Sequence, residues 1–555
     1  MDARTRVDTQ VVGALPLVGA MLEKWGLADI VDRVTPWEGD VPLGTLVEVL
    51  VTNRLLHPQA MYAVGDWAAA AAVTDFFGLT AEQLNDDRLG RALERIAEHG
   101  LELQSAATLA AVKQWQLKVK QIHYDISTAE LYGAYPNAQP APDADEGTGP
   151  SPTKVPLVPF PTYGRTKSGR DDVKQVQFGL DVLGDGAVPV ALLPLAGNTA
   201  EARTHVANLV HLKKMFPRHR FLYLGDTKLD TPENLAAAQQ TAGEFLCAGA
   251  FTKPLQARFR EVKDQLKPVD YCSLADAKKP PEERDHYQAC EVSDKVVGVF
   301  EDRKVGVKYR LIFIHSSAKA EQQATTRERH LTKIGAEFEQ AEKILGKYSL
   351  KTEEAIRRRL EQARNKYSEG KLFSYKLTSR KGQFRLTWQI DEAALAQLKE
   401  LDGVFVLKTN LSKSKHPVAT VLAKYREQSK VEKRFHHLKG PLAVTPMFLE
   451  NPKRIAGLLI ILTWALTVLA LMERQVRKNL KGQPMYGLYP ENRPSPAPTG
   501  PRLIAKFETL CVVIVHDNSG THRRLAQLSN IQREILKLLD LPDTALKTFK
   551  RRCGT

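Results

Sequence analysis

Cysteine pairs, an export signal and internal repeats are all missing from this 555-residue chain. Its five cysteines, Cys247, Cys272, Cys290, Cys511 and Cys553, contain no Cys-x-x-Cys. That scatter excludes a zinc ribbon and a disulfide framework and fits a reducing cytosol. The opening MDARTRVDTQ carries charges where an export signal needs an apolar run, so a cytoplasmic location is expected. Acidic residues are in deficit, 64 Asp and Glu against 79 Lys and Arg, which leaves a formal charge of +15. A surplus of that size favours an acidic polymer as partner, nucleic acid before a membrane surface. Long apolar runs are scarce as well. One, IAGLLIILTWALTVLALM from Ile455 to Met472, is long enough for a short membrane span. Thr463 and Thr467 interrupt it and NPKR supplies the start signal of a soluble helix, so a helix buried within a large domain is expected and no membrane partner.

What is present divides the chain, which is too long for a single core. Residues 1–115 carry apolar positions at helical spacing, as in LVGAMLEKWGLADIVDRV, with Pro36, Pro42 and Pro58 as punctuation, and read as a small all-α domain. From 116 to 250 the pattern turns to β-rich runs, QIHYDIS, VKQVQFGLDVL and AVPVALLPLAG, the last two separated by a GDG turn and together predicting a three-stranded meander. Helix EARTHVANLVHLKKMF, strand RFLYLGD, helix PENLAAAQQTAG and strand EFLCAG then add parallel pairing. The fold class is α/β, a mixed sheet with helices on its faces. Residues 251–400 read as an inserted β-rich subdomain around the charged helix EEAIRRRLEQARNKY, 401–480 as a return to the core, and 481–555 as a Pro-rich linker and helical tail.

Two carboxylates sit where strands end, Asp125 in HYDIS and Asp226 in LYLGD, facing the crevice where α/β sheets bind ligands. A third, Glu432, lies in YREQSKVEKRFHHLKG. If that stretch is one helix, Tyr425, Gln428 or Ser429, Glu432, Phe435 or His436 and Lys439 share a stripe. Three converging carboxylates suit Mg²⁺, with Mn²⁺ able to substitute, and a pair of such ions can drive in-line displacement at a phosphodiester. Simpler roles compete: a solvated helix for Glu432, an Asx-turn for Asp226, a helix cap over STAELYG for Asp125. His436 and His437 read as nucleic-acid backbone contacts or surface. Trp388 reads first as a core filler and second as a stacking platform for an extruded base.

Taken in order, YDIST…LYGAY, GRTKSGRDDVKQVQFGLDVLGDGAVPVALLPLAGNT, LGDTKLDTPENL, DGVFVLKTN and YREQSKVEKRFHHLKGPL resemble insertion-sequence transposases of the DDE class, in the group with a Tyr-(2)-Arg-(3)-Glu-(6)-Lys signature. The resemblance spans roughly 120–475, and NDDRLGRALERI looks like part of the α domain preceding such cores. It implies an RNase H-like core interrupted by an insertion, with Asp125, Asp226 and Glu432 as catalytic and metal-binding residues. It further implies that Tyr425 and Lys439 contact DNA phosphates. Gln428 stands where the signature has Arg, and Arg426 is the candidate substitute. The implied activity is metal-dependent cleavage at terminal inverted repeats and joining of the 3′ hydroxyl to target DNA, by a homodimer at the bacterial nucleoid. A catalytically decayed DNA-binding protein and a plain metal-dependent nuclease are the alternatives.

Overall fold

The computed structural model describes residues 6–133, 135, 159–164, 172–273, 275–380, 383–444, 447, 449–517 and 520–546. Residues 136–158 of the Pro-rich stretch expected as a loop, most of GRTKSGR and Cys553 lie outside the described residues. Two compact units divide the chain, one of Met1–Phe245, Val297–Gly306 and Arg426–Thr555, the other of Leu246–Val296 and Val307–Tyr425.

The sheet of the first unit is built as its alternation predicts. Strands β1 (Gln121–Leu131), β2 (Lys174–Leu183) and β3 (Pro189–Ala196) form an antiparallel meander. Helix α1 (Thr204–Met215) leads into β4 (Phe221–Gly225), which pairs parallel to β1 on the side away from β2. Helix α2 (Pro232–Thr241) starts where Thr231 accepts the Asn234 N–H and Pro232 takes a position that needs no donor, and it leads into β5 (Gly243–Gly249). Asp125 does not end a strand as expected. β1 runs on to Leu131 because β2 keeps pairing with it as far as Lys174, while the parallel ladder to β4 stops at His123–Leu224.

The N-terminal helices, chiefly Leu15–Trp25, Leu27–Val34, Leu43–Leu56, Asp86–Glu98 and Gly100–Trp115, pack into this same unit rather than standing apart as a 1–115 domain. The Gln104 amide donates to Leu192 O and accepts from Leu192 N, and Thr108 Oγ1 donates to Val190 O, both on β3. Two later helices complete the unit, α3 (Ser429–Lys439) and the 29-residue α4 (Pro452–Leu480). Every residue of α4 from Ile455 to Val476 is buried, so its apolar character is that of a core helix packed on all sides. The tail is not simply helical. Cys511–Asp517 pairs antiparallel with Arg6–Val11 on one side and Gly520–Leu525 on the other.

In the second unit, Tyr287–Phe300 and Arg303–Ser316 form long strands in the region expected to be β-rich, except that Val297–Gly306 belongs to the first unit. Val404–Thr409 pairs antiparallel with 310–315 and with 246–249. Helices are more extensive than expected. Ser317–Lys343 and Glu353–Asn365 bury Ile334, Phe338, Ile356 and Leu360 against the hairpin Phe373–Arg380/Gln383–Ile390. Half-buried Trp388 lies 5.7 Å from the Phe338 and Phe373 rings, in the core-filling role.

Candidate functional site

Strand β1 has two chemically distinct faces. Side chains alternate across a strand, so Gln121, His123 and Asp125 share one face while Ile122 and Tyr124 share the other. The β1–β4 register pairs Gln121 with Leu222 and His123 with Leu224. The ladder stops there; Asp125 lies two residues past His123 on β1, and Asp226 two residues past Leu224, just after β4 ends. Asp125 is half-buried, and its Oδ1 accepts the Ile126 N–H at 2.8 Å. β1 continues as strand through STAEL, so Asp125 caps no helix. Asp226 accepts the Lys228 N–H at 2.8 Å and caps a short 3₁₀ turn, the local role that competed with chemistry for this residue.

Glu432 is exposed in the first turn of α3. The stretch 425–440 is not one helix. The helix Val418–Arg426 stops, Glu427 and Gln428 intervene, and α3 begins at Ser429. The break has a side-chain cause. Gln428 Nε2 donates to Tyr124 O at 3.0 Å, Gln428 Oε1 meets His123 Nδ1 at 3.0 Å, and Glu427 Oε2 accepts from Gln121 Nε2 at 2.9 Å. Both residues are turned onto β1 rather than onto a continuous helix. Tyr425, half-buried, and Arg426, exposed, therefore close the preceding helix and do not share a helical stripe with Glu432.

Further along, the Phe435 ring packs edge-on against Phe178 of β2 at 5.8 Å. Lys430 and Arg434 face the β2–β3 turn: Lys430 Nζ donates to Gly184 O, Arg434 Nε to Ala187 O and Arg434 Nη2 to Gly186 O. Glu432 stands two residues from each, about 200° around the helix and so on the flank away from that turn. His436 and Lys439 lie one and two turns beyond Glu432 on this flank, and all three are exposed. A carboxylate in the first turn and a lysine in the last also suit the helix dipole.

Two features anchor α3 from behind. Arg434 and Glu473 of α4, each about 3% exposed, pair at 3.0 Å. Burial holds the Arg434 guanidinium below its ordinary range, and Glu473 opposes that shift. His437 is half-buried rather than surface, with Nδ1 3.3 Å from Arg434 Nη1, and burial lowers its pKa.

Among the described residues no three Asp, Glu, His or Cys side chains converge closely enough to grip an ion as they stand. As oxygen donors the three carboxylates are of the type a hard divalent cation takes. Asp125 lies on β1 and Asp226 just after the neighbouring β4, and Glu432, which forms no hydrogen bond or ion pair among the described residues, is exposed on α3. Residues 7–106 match a family described as Domain of unknown function (DUF4277). That match covers the N-terminal helices and ends before Asp125. No curated protein matches the chain.

Proposed function

We propose that the protein is a DNA transposase of the DDE class, with an RNase H-like core in the first unit and an insertion between its second and third carboxylates. What supports the reading is the arrangement of the parts: Asp125 on β1, Asp226 just after β4, which pairs parallel with β1, and α3, docked on β1 through Gln428 and on β2 through Phe435, carrying Glu432. Asp125, Asp226 and Glu432 would hold Mg²⁺, or Mn²⁺ in its place. Ions held there would supply Lewis acidity toward a water or 3′ hydroxyl and toward the leaving oxygen of a phosphodiester. Lys439, two turns beyond Glu432, offers a cation to a phosphate near the ions, and Arg426, just before α3, presents a further donor. Such contacts position the strand without reading its sequence. Gln428 brings no charge, so its side chain acts on the protein rather than on the substrate. The DNA substrates are the terminal inverted repeats and the target, and the net charge of +15 supports such a partner.

The test is cleavage of labelled duplexes carrying the element's ends, with Mg²⁺ or Mn²⁺, by wild type and Glu432→Gln. End-specific cleavage that the variant loses while still binding DNA supports the reading. Binding without cleavage in either metal replaces it with a non-catalytic DNA-binding protein, and cleavage without joining leaves a nuclease.

A further inference from the structure

Between β1 and the start of α3 runs a directed chain of hydrogen bonds. Lys430 Nζ donates to Glu427 Oε2 at 3.0 Å, and the same oxygen accepts from Gln121 Nε2 at 2.9 Å. Gln121 Nε2 also lies 2.9 Å from His123 Nε2. His123 Nδ1 lies 3.0 Å from Gln428 Oε1, and Gln428 Nε2 donates to Tyr124 O at 3.0 Å. The carboxylate of Glu427 only accepts and a backbone carbonyl only accepts, so both ends fix the direction. Gln121 must present its NH₂ group, His123 Nε2 must accept, and His123 Nδ1 must carry the proton that Gln428 Oε1 receives. His123 has no exposed surface, so this order is built into the core.

The bond from Gln428 to Tyr124 O joins the residue one turn before Glu432 to the residue immediately before Asp125. We propose that Gln428, oriented by His123, is a positioning residue that fixes Glu432 relative to Asp125 and thereby sets the metal affinity of the carboxylate group. The proposal rests on the reading of those carboxylates as a metal site. It also accounts for the residue type. The position needs a donor and an acceptor on one planar head: an Arg offers only donors and would set a donor against the His123 Nδ1–H, while a Glu would turn an oxygen on the Tyr124 carbonyl. Reversing His123 does not rescue an Arg, because Gln121 is already locked by Glu427.

The experiment is Mn²⁺ titration of the full chain by electron paramagnetic resonance, with circular dichroism melts of each sample. Wild type should bind Mn²⁺, and Glu432→Gln should bind it weakly. Both Gln428→Met and Gln428→Arg should lose about tenfold or more in affinity, the scale seen when a group supporting a metal ligand is removed, with the folded spectrum kept. His123→Asn, which keeps an N–H near the place of Nδ1, should recover most of the affinity that His123→Phe loses; this pair reads the same clip should a Gln428 variant fail to fold. Wild-type affinity in Gln428→Met and Gln428→Arg overturns the proposal and leaves the clip a purely structural one. A wild type that takes up no Mn²⁺, or a Glu432→Gln that binds as well as wild type, overturns the metal reading and this proposal with it, and the two failures are distinguishable.

Discussion

Removing the charge of Glu473 tests how α3 is held. Its carboxylate is buried beside Arg434 at 3.0 Å, receives the Gly500 N–H at 3.0 Å and lies 3.6 Å from Arg477. Glu473→Gln keeps the shape and an acceptor for Gly500, yet it strands a guanidinium in a site that is about 3% exposed. Stranding a buried charge in this way costs about 3–5 kcal/mol. Arg434 keeps its bonds to the Gly186 and Ala187 carbonyls, which places the expected loss near 3 rather than 5 kcal/mol, on the scale of about 1 kcal/mol saved for each hydrogen bond retained. The double change Arg434→Met/Glu473→Leu removes both charges and should cost less than either single change, despite leaving those two carbonyls bare. Urea unfolding followed by tryptophan fluorescence is the assay. Of the six tryptophans only Trp388 lies in the second unit, so the signal comes mainly from the first. A Glu473→Gln transition within about 1 kcal/mol of wild type, inside the range of a surface ion pair, would refute the reasoning.

Other consequences are equally open to measurement. Asp181 is fully buried, and burial raises its carboxyl pKa well above the usual range against the opposing hydrogen bond from Asn208. A folded pKa above the unfolded one gives stability that is present at low pH and lost as pH rises past about 4, the unfolded value. Asp181→Asn should therefore match wild type near pH 4 and be the more stable of the two at pH 8; a pH-independent difference in urea midpoint would contradict this. Trp388→Ala should destabilise the second unit by about 2–3 kcal/mol, less than the 3–5 of a fully buried tryptophan, as read by proteolysis of 317–400; unchanged protection with impaired DNA handling would instead favour base stacking. Gly179 sits where an added Cβ would come within 2.3 Å of the Tyr124 hydroxyl, so Gly179→Ala should lower the thermal midpoint by several degrees. The chain should stay in the dense fraction when zwitterionic liposomes are floated at physiological salt, because α4 has no apolar face left to offer.

Local pattern carried much of this architecture. The alternation in QIHYDIS places Gln121, His123 and Asp125 on one face, and the strand and helix periods of 174–249 give the meander and the parallel step. Partners distant in sequence were harder to read. Apolar faces of the N-terminal helices are evident, but that they meet β3 and α4 instead of each other alone depends on residues far down the chain. The strand at 511–517 alternates weakly, and the edge it pairs with begins at Arg6. The break before α3 was hidden for another reason. Nothing in REQSKVEK discourages a helix, and only the docking of Glu427 and Gln428 onto buried polar groups of β1 interrupts it. A tertiary hydrogen bond there outweighs local propensity.

The first unit is discontinuous, and that governs when it can exist. Asp125 and Asp226 are synthesised early, whereas α3 and the spindle α4 follow only after the whole second unit, about two hundred residues and some 10–40 s later at ordinary elongation rates. Until then β3 and the N-terminal helices lack the surface they bury. A nascent chain stopped at residue 425 should aggregate or sit on a chaperone, and it should bear no third carboxylate. On the proposed reading, a DNA-cutting enzyme is thus kept inert on the ribosome by the order of its own segments.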